Sequence, residues 1–446
     1  MPAVMSVHGI DSGTLGKAVV ASAADCSKQP PMPSTSRRAG LLRELAQPRN
    51  IVVGAQMLFV AFSGLVLVPV LMGLDASVAL FTAGAGTLLF QLVTGARIPV
   101  FLASSFAFIA PTSYGIQQFG LAETLGGLMA AGVFYVLLAQ VVRWRGDGVI
   151  QRLLPAIVTG PVVMVIGMSL APIAVEKAGG NLSGDHPASH LLVASAVFLV
   201  TVLTAMLSRG TWRLIPVLIG IVFGYGISLP LGLIDLSNVA TAPWWSLPGF
   251  TTPRFSLPAI LFILPVAIAP AIEHVGDILA IGAVTGENYL KRPGLQRTLL
   301  GDGLATSLAA ALGGPPNTTY SEVVGAVALI RAVKPVVMIW AALFAIGLSF
   351  VGKLNALLNT IPDPVMGGVL VILFGTIVTL GINTLVRAGA DLSDSRNLIV
   401  VGTILVLGIG GLGIEAGRFS LEGLSLAAIA GVLLNLALPR TQAGRD

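Results

Sequence analysis

The chain has 446 residues, of which 55% are hydrophobic and 10% charged, with a formal net charge of +5 and a mean hydropathy of +0.91. A soluble domain carries about 25% charged residues, so most of this surface must meet lipid, and a multi-pass membrane protein is expected. The excess of basic residues does not call for a nucleic-acid partner, because membrane topology accounts for it.

Residues 1–48 read as a disordered tail. "SAADCSKQPPMPSTSRRAG" is small, polar and Pro-rich, and cannot bury enough apolar area to offset ordering. It shows no charged leader running into a short apolar stretch with a cleavage site, so no signal peptide is expected. Cys26, the single cysteine, lies here, which rules out an intramolecular disulfide and a cysteine-based metal site.

Windows of about 20 apolar residues then mark spans. In chain order they fall at 50–72, 76–95, 100–117, 121–142, 153–175, 189–208, 214–233, 257–282, 296–313, 317–331, 335–351, 355–382, 397–413 and 422–439. Spans 3 and 10 are short and open on "RIPVFLASSFAF" and "NTTYSE", with Pro or hydroxyl residues in place of a helical pattern. Fourteen spans put both termini on one side. Twenty-one of the 25 basic residues then fall on that side, and only Lys177, Arg254, Lys353 and Arg418 on the other. This bias predicts cytoplasmic termini.

Two pieces of the chain recur about 210 residues apart. "LPAIVTGPVVMV" (154–165) resembles "IPDPVMGGVLVI" (361–372), and "SSFA" (104–107) resembles "TTYS" (318–321). A Gly-x-x-Thr-x-Leu precedes each of the latter pair, at Gly84–Leu89 and Gly303–Leu308. Seven spans per unit, an odd number, make the second half insert upside down. Paired broken segments in inverted repeats place a transporter's site between the halves at the membrane midplane. Non-helical backbone at that depth must be buried in protein or line a cavity.

Four acidic residues are read as falling well inside spans: Glu273 and Asp277 in span 8, Asp302 in span 9 and Glu322 in span 10. Each costs roughly 2.5–3.5 kcal/mol at a helix centre, and basic residues reach only the ends of the spans, as at Arg297 and Arg331, so none is expected to pair with them. They are therefore expected to be solvated in a cavity, hydrogen-bonded or protonated. Glu273 and Asp277 are four apart on one helix face and are expected to share a proton. His274 points about 100° away from that face, and a structural role is expected for it. Structural readings also stand open for Asp277 and Asp302, as acceptors for the broken segments. Exposed N–H groups at the start of span 10 and around Phe106 can donate to a ligand. A flat, uncharged ligand with N–H donors and C=O acceptors fits these groups, with Phe106 or Tyr320 offering a face for stacking.

From about Asn50 to Arg440 the chain resembles the nucleobase–ascorbate (nucleobase–cation symporter 2) transporters, especially bacterial uracil permeases. "FLASSFAF", "AIEHVG", "NTTYSE" and "IPDPVMGG" carry the resemblance in the family's order and spacing. It implies an all-α polytopic membrane protein of fourteen segments in two inverted seven-span repeats, with short extended strands in spans 3 and 10. It implies a core domain (49–143 and 256–351) and a gate domain (150–235 and 354–440), with 441–446 a cytoplasmic tail. Proton symport by alternating access and a homodimer packed through gate domains follow from the same resemblance. By position, Glu273 and Glu322 match the two glutamates that bind the base. Phe106 and Ser321 match the backbone-contact positions, flanked by Ser105 and Tyr320. Glu273, Asp277 and Asp302 are the candidate proton carriers.

Several positions depart from the family pattern. Met57 replaces the usual span-1 histidine, and Asp277 replaces a histidine of uracil permeases, as in xanthine permeases. Asp302 matches a carboxylate of the purine branch, Ser321 stands for a common Gly, and Phe374 for a tyrosine. Val323-Val324-Gly325 replaces Asn-x-Gly, and Ile330 the Thr that closes that signature. Glu322, where purine carriers commonly have glutamine, favours a pyrimidine.

The expectation is a proton-coupled uracil importer of a bacterial inner membrane, without a resident cofactor, metal or nucleic-acid partner. Xanthine or uric acid is the alternative. An anion carrier of the related sulfate-transporter architecture fits less well, because the site is acidic. An intramembrane enzyme lacks support, since His274 is the only histidine well inside a span and nothing is spaced for a metal.

Overall fold

The computed structural model describes residues 43–146, 154–179, 188–416 and 419–439. The chain divides into a first unit ending at Gln47 and a second from Pro48 onward. Of the first, only residues 43–47 are described, with a helical turn over 43–45; the rest of the expected tail lies outside the described residues.

The first half of the second unit runs α1 (Pro48–Val60), a π-helical turn (Ser63–Leu67), α2 (Val68–Met72), α3 (Ala76–Thr94) and β1 (Leu102–Ser104). A 3₁₀ turn (Phe106–Phe108), α4 (Ile109–Phe119) and α5 (Leu121–Arg145) follow, then α6 (Ala156–Lys177), α7 (Ala188–Leu207) and α8 (Pro216–Ser228). After a short α9 (Ser237–Thr241) come α10 (Leu257–Ile263), α11 (Ile268–Thr285), α12 (Leu295–Ala311), β2 (Asn317–Thr319) and α13 (Ser321–Ile330). The chain closes with α14 (Pro335–Ser349), α15 (Gly352–Leu358), α16 (Asp363–Arg387), α17 (Ser395–Ile409), a hairpin of β3 (Gly413–Ala416) and β4 (Phe419–Glu422), and α18 (Gly423–Ala437).

Among the described residues, six helices are long and apolar enough to cross a membrane, with Leu257–Thr285 (α10 through α11) counted as one, and a seventh crossing results if α1 and the segment Ser63–Met72, bent by 54°, count as one. Five shorter apolar helices accompany them: α8, α13, α14, α17 and α18. Spans 3 and 10 begin as strands, as the family resemblance implies. β1 and β2 pair antiparallel, with Leu102 opposite Thr319 and Ser104 opposite Asn317.

Two sequence expectations need correction. Span 12 does not run from 355 to 382. α15 ends at Leu358 and α16 starts at Asp363, because Pro362 is extended and Pro364 occupies the first turn, where proline is tolerated. The apolar run "LNALLNTIPDPVMGG" hides this break. The β3–β4 hairpin between spans 13 and 14 was not expected at all.

Packing in the first half recurs in the second. α3 packs on α14 as α12 packs on α5, α1 on α14 as α10 on α5, and α7 on α16 as α17 on α6. Each half also closes with a helix pair, α7 with α8 and α17 with α18. The two Gly-x-x-Thr-x-Leu glycines lie at equivalent crossings. A Cβ at Gly84 would come 2.5 Å from Ala342 O, and one at Gly303 2.7 Å from Gly132 O, so only glycine lets these helices approach. α6 and α16 cross through Gly160 and Gly381, each facing the other's carbonyl. Without a hydrophobic drive between helices in lipid, such close backbone contact is what holds them.

Candidate functional site

The site is built around the strand pair. Each strand is held by the threonine of the repeated motif. Thr87 Oγ1 accepts from Leu102 N at 2.9 Å, and Thr306 Oγ1 donates to Asn317 O at 2.5 Å. Gln91 Nε2 donates to Ile98 O (2.8 Å) and Val100 O (3.2 Å), fixing the chain that leads into β1. Asn317 Nδ2 donates to Thr82 O at 2.9 Å, tying β2 back to α3. These bonds satisfy extended backbone that lipid could not.

A second layer comes from α11 and α12. Asp277 accepts from Thr319 Oγ1 (3.0 Å) on Oδ2 and from Ser321 Oγ (2.5 Å) on Oδ1. His274 Nδ1 lies 3.4 Å from Thr319 Oγ1 and 3.6 Å from Asp302 Oδ2, which accepts from Thr318 Oγ1 at 3.4 Å. His274, Asp277 and Asp302 are all buried, and His274 and Asp302 are fully so. Three ionisable groups thus face the hydroxyls of Thr318, Thr319 and Ser321.

Glu273 and Glu322 differ from these three. Both are half-buried. Glu273 projects from α11 one turn before Asp277, and Glu322 sits in the first turn of α13, where backbone N–H groups lack intrahelical acceptors and the dipole favours an anion. Asp277 turns one oxygen to Thr319 and the other to Ser321.

Phe106 and Tyr320 stack, with ring centroids 6.0 Å apart and planes 21° from parallel, and Phe374 meets Phe106 edge-on at 6.2 Å. The ring faces offered to a ligand are turned to each other in this state. Tyr320 is pinned by a 2.7 Å bond between its hydroxyl and Ser63 Oγ in the π-helical turn, an element frequent at functional sites. Gly64 makes room for it, since a Cβ there would lie 2.7 Å from Tyr320 Cε2. Ser105 donates its N–H to Pro316 O at 2.9 Å, while the buried hydroxyls of Ser104 and Ser105 find no partner among the described residues. Orphaned buried hydroxyls are costly without a ligand or water.

A cavity of about 400 Å³ opens beside Phe106 and Ala107, between Tyr114 of α4, Leu170 of α6, Phe262 of α10 and Leu424 of α18. That volume falls within the range of small-molecule sites, about 300–1,000 Å³. Neither Glu273 nor Glu322 lines it, so Phe106 is the border that this cavity shares with the strand junction.

Sequence reasoning missed Ser63, Gly64, Thr87 and Thr306 as parts of this site, and left His274 aside. The motif repeat marked the two threonines; nothing local marked Ser63. No Lys or Arg is buried among the described residues, and no group of His, Cys, Asp and Glu among them is arranged for a metal.

Broken segments meeting between two packed halves, with acidic groups at their junction, define a membrane transporter's architecture. The solved structures with this fold agree. The transmembrane domain of a cyanobacterial bicarbonate transporter, BicA, superposes with a TM-score of 0.59 at 13% identity, covering 87% of this chain and 97% of that one. Murine Slc26a9, an anion transporter in the inward-facing state, superposes with a TM-score of 0.64 at 14% identity, covering 98% and 76%.

The Permease family model matches residues 48–416, and the chain belongs to that family, the nucleobase–ascorbate transporters. Among its relatives, the "Probable uracil permease" of Pasteurella multocida is 50% identical over 408 residues, 92% of this chain and 98% of that protein. The Haemophilus influenzae protein of the same description is 52% identical over 390 residues, 87% and 94%. The uracil permease of Bacillus caldolyticus is 42% identical over 404 residues, 89% and 94%.

Proposed function

We propose that the protein imports uracil across a bacterial inner membrane by proton-coupled alternating access. The observation that carries this reading is the pair of half-buried glutamates, Glu273 and Glu322, at the strand junction, with no buried Lys or Arg among the described residues to recruit an anion. The base's N–H groups donate to these carboxylates, and N–H groups at the starts of the 3₁₀ turn and α13, around Phe106 and Ser321, donate to its carbonyls. Ser105 Oγ adds a hydroxyl, and Phe106 and Tyr320 part to stack on the ring. Relatives described as uracil permeases support the pyrimidine over xanthine or uric acid. The anion transporters that share the fold at 12–14% identity speak to architecture alone.

The recurring packing pairs support two inverted seven-segment repeats. In this reading the helices on 49–143 and 256–351 form a core domain that carries the base. Those on 150–235 and 354–440 form a gate domain, which also pairs two copies in a homodimer. Fourteen segments follow if α4 with β1 and α12 complete the apolar helices already counted, and the basic-residue bias then places both termini in the cytoplasm. Protons enter through Glu273, Asp277 and Asp302, the carboxylates that share α11 and its neighbour α12.

Thermal unfolding of the detergent-purified protein against uracil, thymine, xanthine, uric acid and sulfate tests the substrate. A ligand at 100 times its Kd adds about 2.7 kcal/mol. Stabilisation by uracil and none by sulfate is expected; stabilisation by xanthine or uric acid alone would move the assignment to the purine branch.

A further inference from the structure

A second cleft lies far along α5 and α12 from the strand junction. It has a volume of about 480 Å³ and is lined by Val136, Leu137, Gln140 and Arg143 of α5 and by Gln296, Arg297 and Leu300 of α12, among others. Its polarity is graded in the same direction along both helices. On α5, Arg143 and Gln140 give way to Leu137 and Val136; on α12, Gln296 and Arg297 give way to Leu300. At 1.5 Å per residue, the charged and apolar ends lie about 10 Å apart on α5.

The apolar end opens to the lipid face, where Leu137 is 61% exposed. The charged end sits at the level of Trp144, which is 76% exposed, the position that aromatic residues take at a membrane–water interface. Arg143 and Arg297 are exposed, and no hydrogen bond or ion pair engages either among the described residues. No acidic residue stands on α5 beyond Glu123 or between Asn288 and Gly301, whereas Arg145, Lys291 and Arg292 flank the two arginines. Asp147, the next acid along the chain from α5, lies outside the described residues.

The geometry points to a binding site for one anionic phospholipid of the leaflet at this end. Arg143 and Arg297 hold the headgroup phosphate, Gln140 and Gln296 hydrogen-bond its oxygens, and Leu137 and Leu300 carry the acyl chains. Basic clefts between membrane helices recognise lipid headgroups in this way. The apolar half separates this site from one for free phosphate, which would need charge alone.

Native mass spectrometry of the full-length detergent-purified protein tests it, with phosphatidylglycerol, phosphatidylcholine of the same chains, and glycerol 3-phosphate as probes. Phosphatidylglycerol adducts are expected at about tenfold lower concentration than phosphatidylcholine adducts, and the Arg143→Gln/Arg297→Gln variant is expected to lose about that preference. An Arg209→Gln/Arg213→Gln control, which removes equal charge elsewhere, keeps it. The unfolding temperature in lipid-free detergent checks that the variants fold, with Arg297→Gln alone replacing the double variant if that one does not. Equal binding of the two lipids, or retention of the preference in the variant, overturns the site. Displacement of the lipid by glycerol 3-phosphate overturns the lipid in favour of a free anion.

Discussion

Ser321 Oγ donates to Asp277 Oδ1 at 2.5 Å, which ties the helix that carries Glu273 to the first turn of the helix that carries Glu322. Thr319 Oγ1 gives Asp277 its other bond at 3.0 Å. The separation of the two glutamates is therefore set by a third carboxylate, carried one turn beyond Glu273 on the same helix.

Replacing Asp277 should expose this tie. Asp277→Ala leaves two buried hydroxyls without their acceptor, and each such loss costs about 1–3 kcal/mol. Thermal unfolding in detergent should show a clear fall for Asp277→Ala and a smaller one for Asp277→Asn, which keeps an acceptor oxygen. An alanine variant as stable as the parent protein would remove Asp277 from its structural part.

Tyr320 is placed by Ser63 and by the absence of a side chain at Gly64. Tyr320→Phe should cost about 0.5–1.5 kcal/mol through the lost hydrogen bond. Gly64→Val should be more severe for function, because the added atoms displace the ring that stacks on Phe106. Uracil uptake per folded molecule should fall several-fold in Gly64→Val while the protein still reaches the membrane; undiminished uptake would show that the Tyr320 position is not needed.

Thr87 and Thr306 occupy equivalent places in the two halves, each bonded to the first residue of its strand. Thr87→Val and Thr306→Val should each destabilise by about 1 kcal/mol. Their costs should couple in the double variant and not simply add, because β1 and β2 are paired to each other. A large effect from one and none from the other would break the equivalence.

Much of this arrangement was legible in the sequence. "RIPVFLASSFAF" and "NTTYSE" announced non-helical, protein-lined segments through their Pro and hydroxyl residues, and the family resemblance supplied the strands. The Gly-x-x-Thr-x-Leu repeat marked Gly84 and Gly303 without saying that they sit at helix crossings, and marked Thr87 and Thr306 without naming the backbone atoms they hold. Glu273 and Asp277 share a helix face, as their spacing requires, yet hydrogen bonds to Thr319 and Ser321 turn Asp277 toward β2. Such partners lie more than 40 residues away in sequence, and spacing cannot show them. The start of α16 was hidden by an apolar run that hydropathy reads straight through, although Pro362 and Pro364 carried the signal. The identity of Ser63 as the partner of Tyr320 has no local signature, since a serine in a span is most simply bonded to its own helix.

The most direct test is uptake of uracil into proteoliposomes under an imposed inward proton gradient, comparing the parent protein with Glu273→Gln and Glu322→Gln. The account predicts accumulation above the external concentration by the parent protein, collapse of that accumulation with a protonophore, and loss of uptake in both variants. Uracil uptake that persists unchanged in the two variants, or that ignores the protonophore, would contradict it.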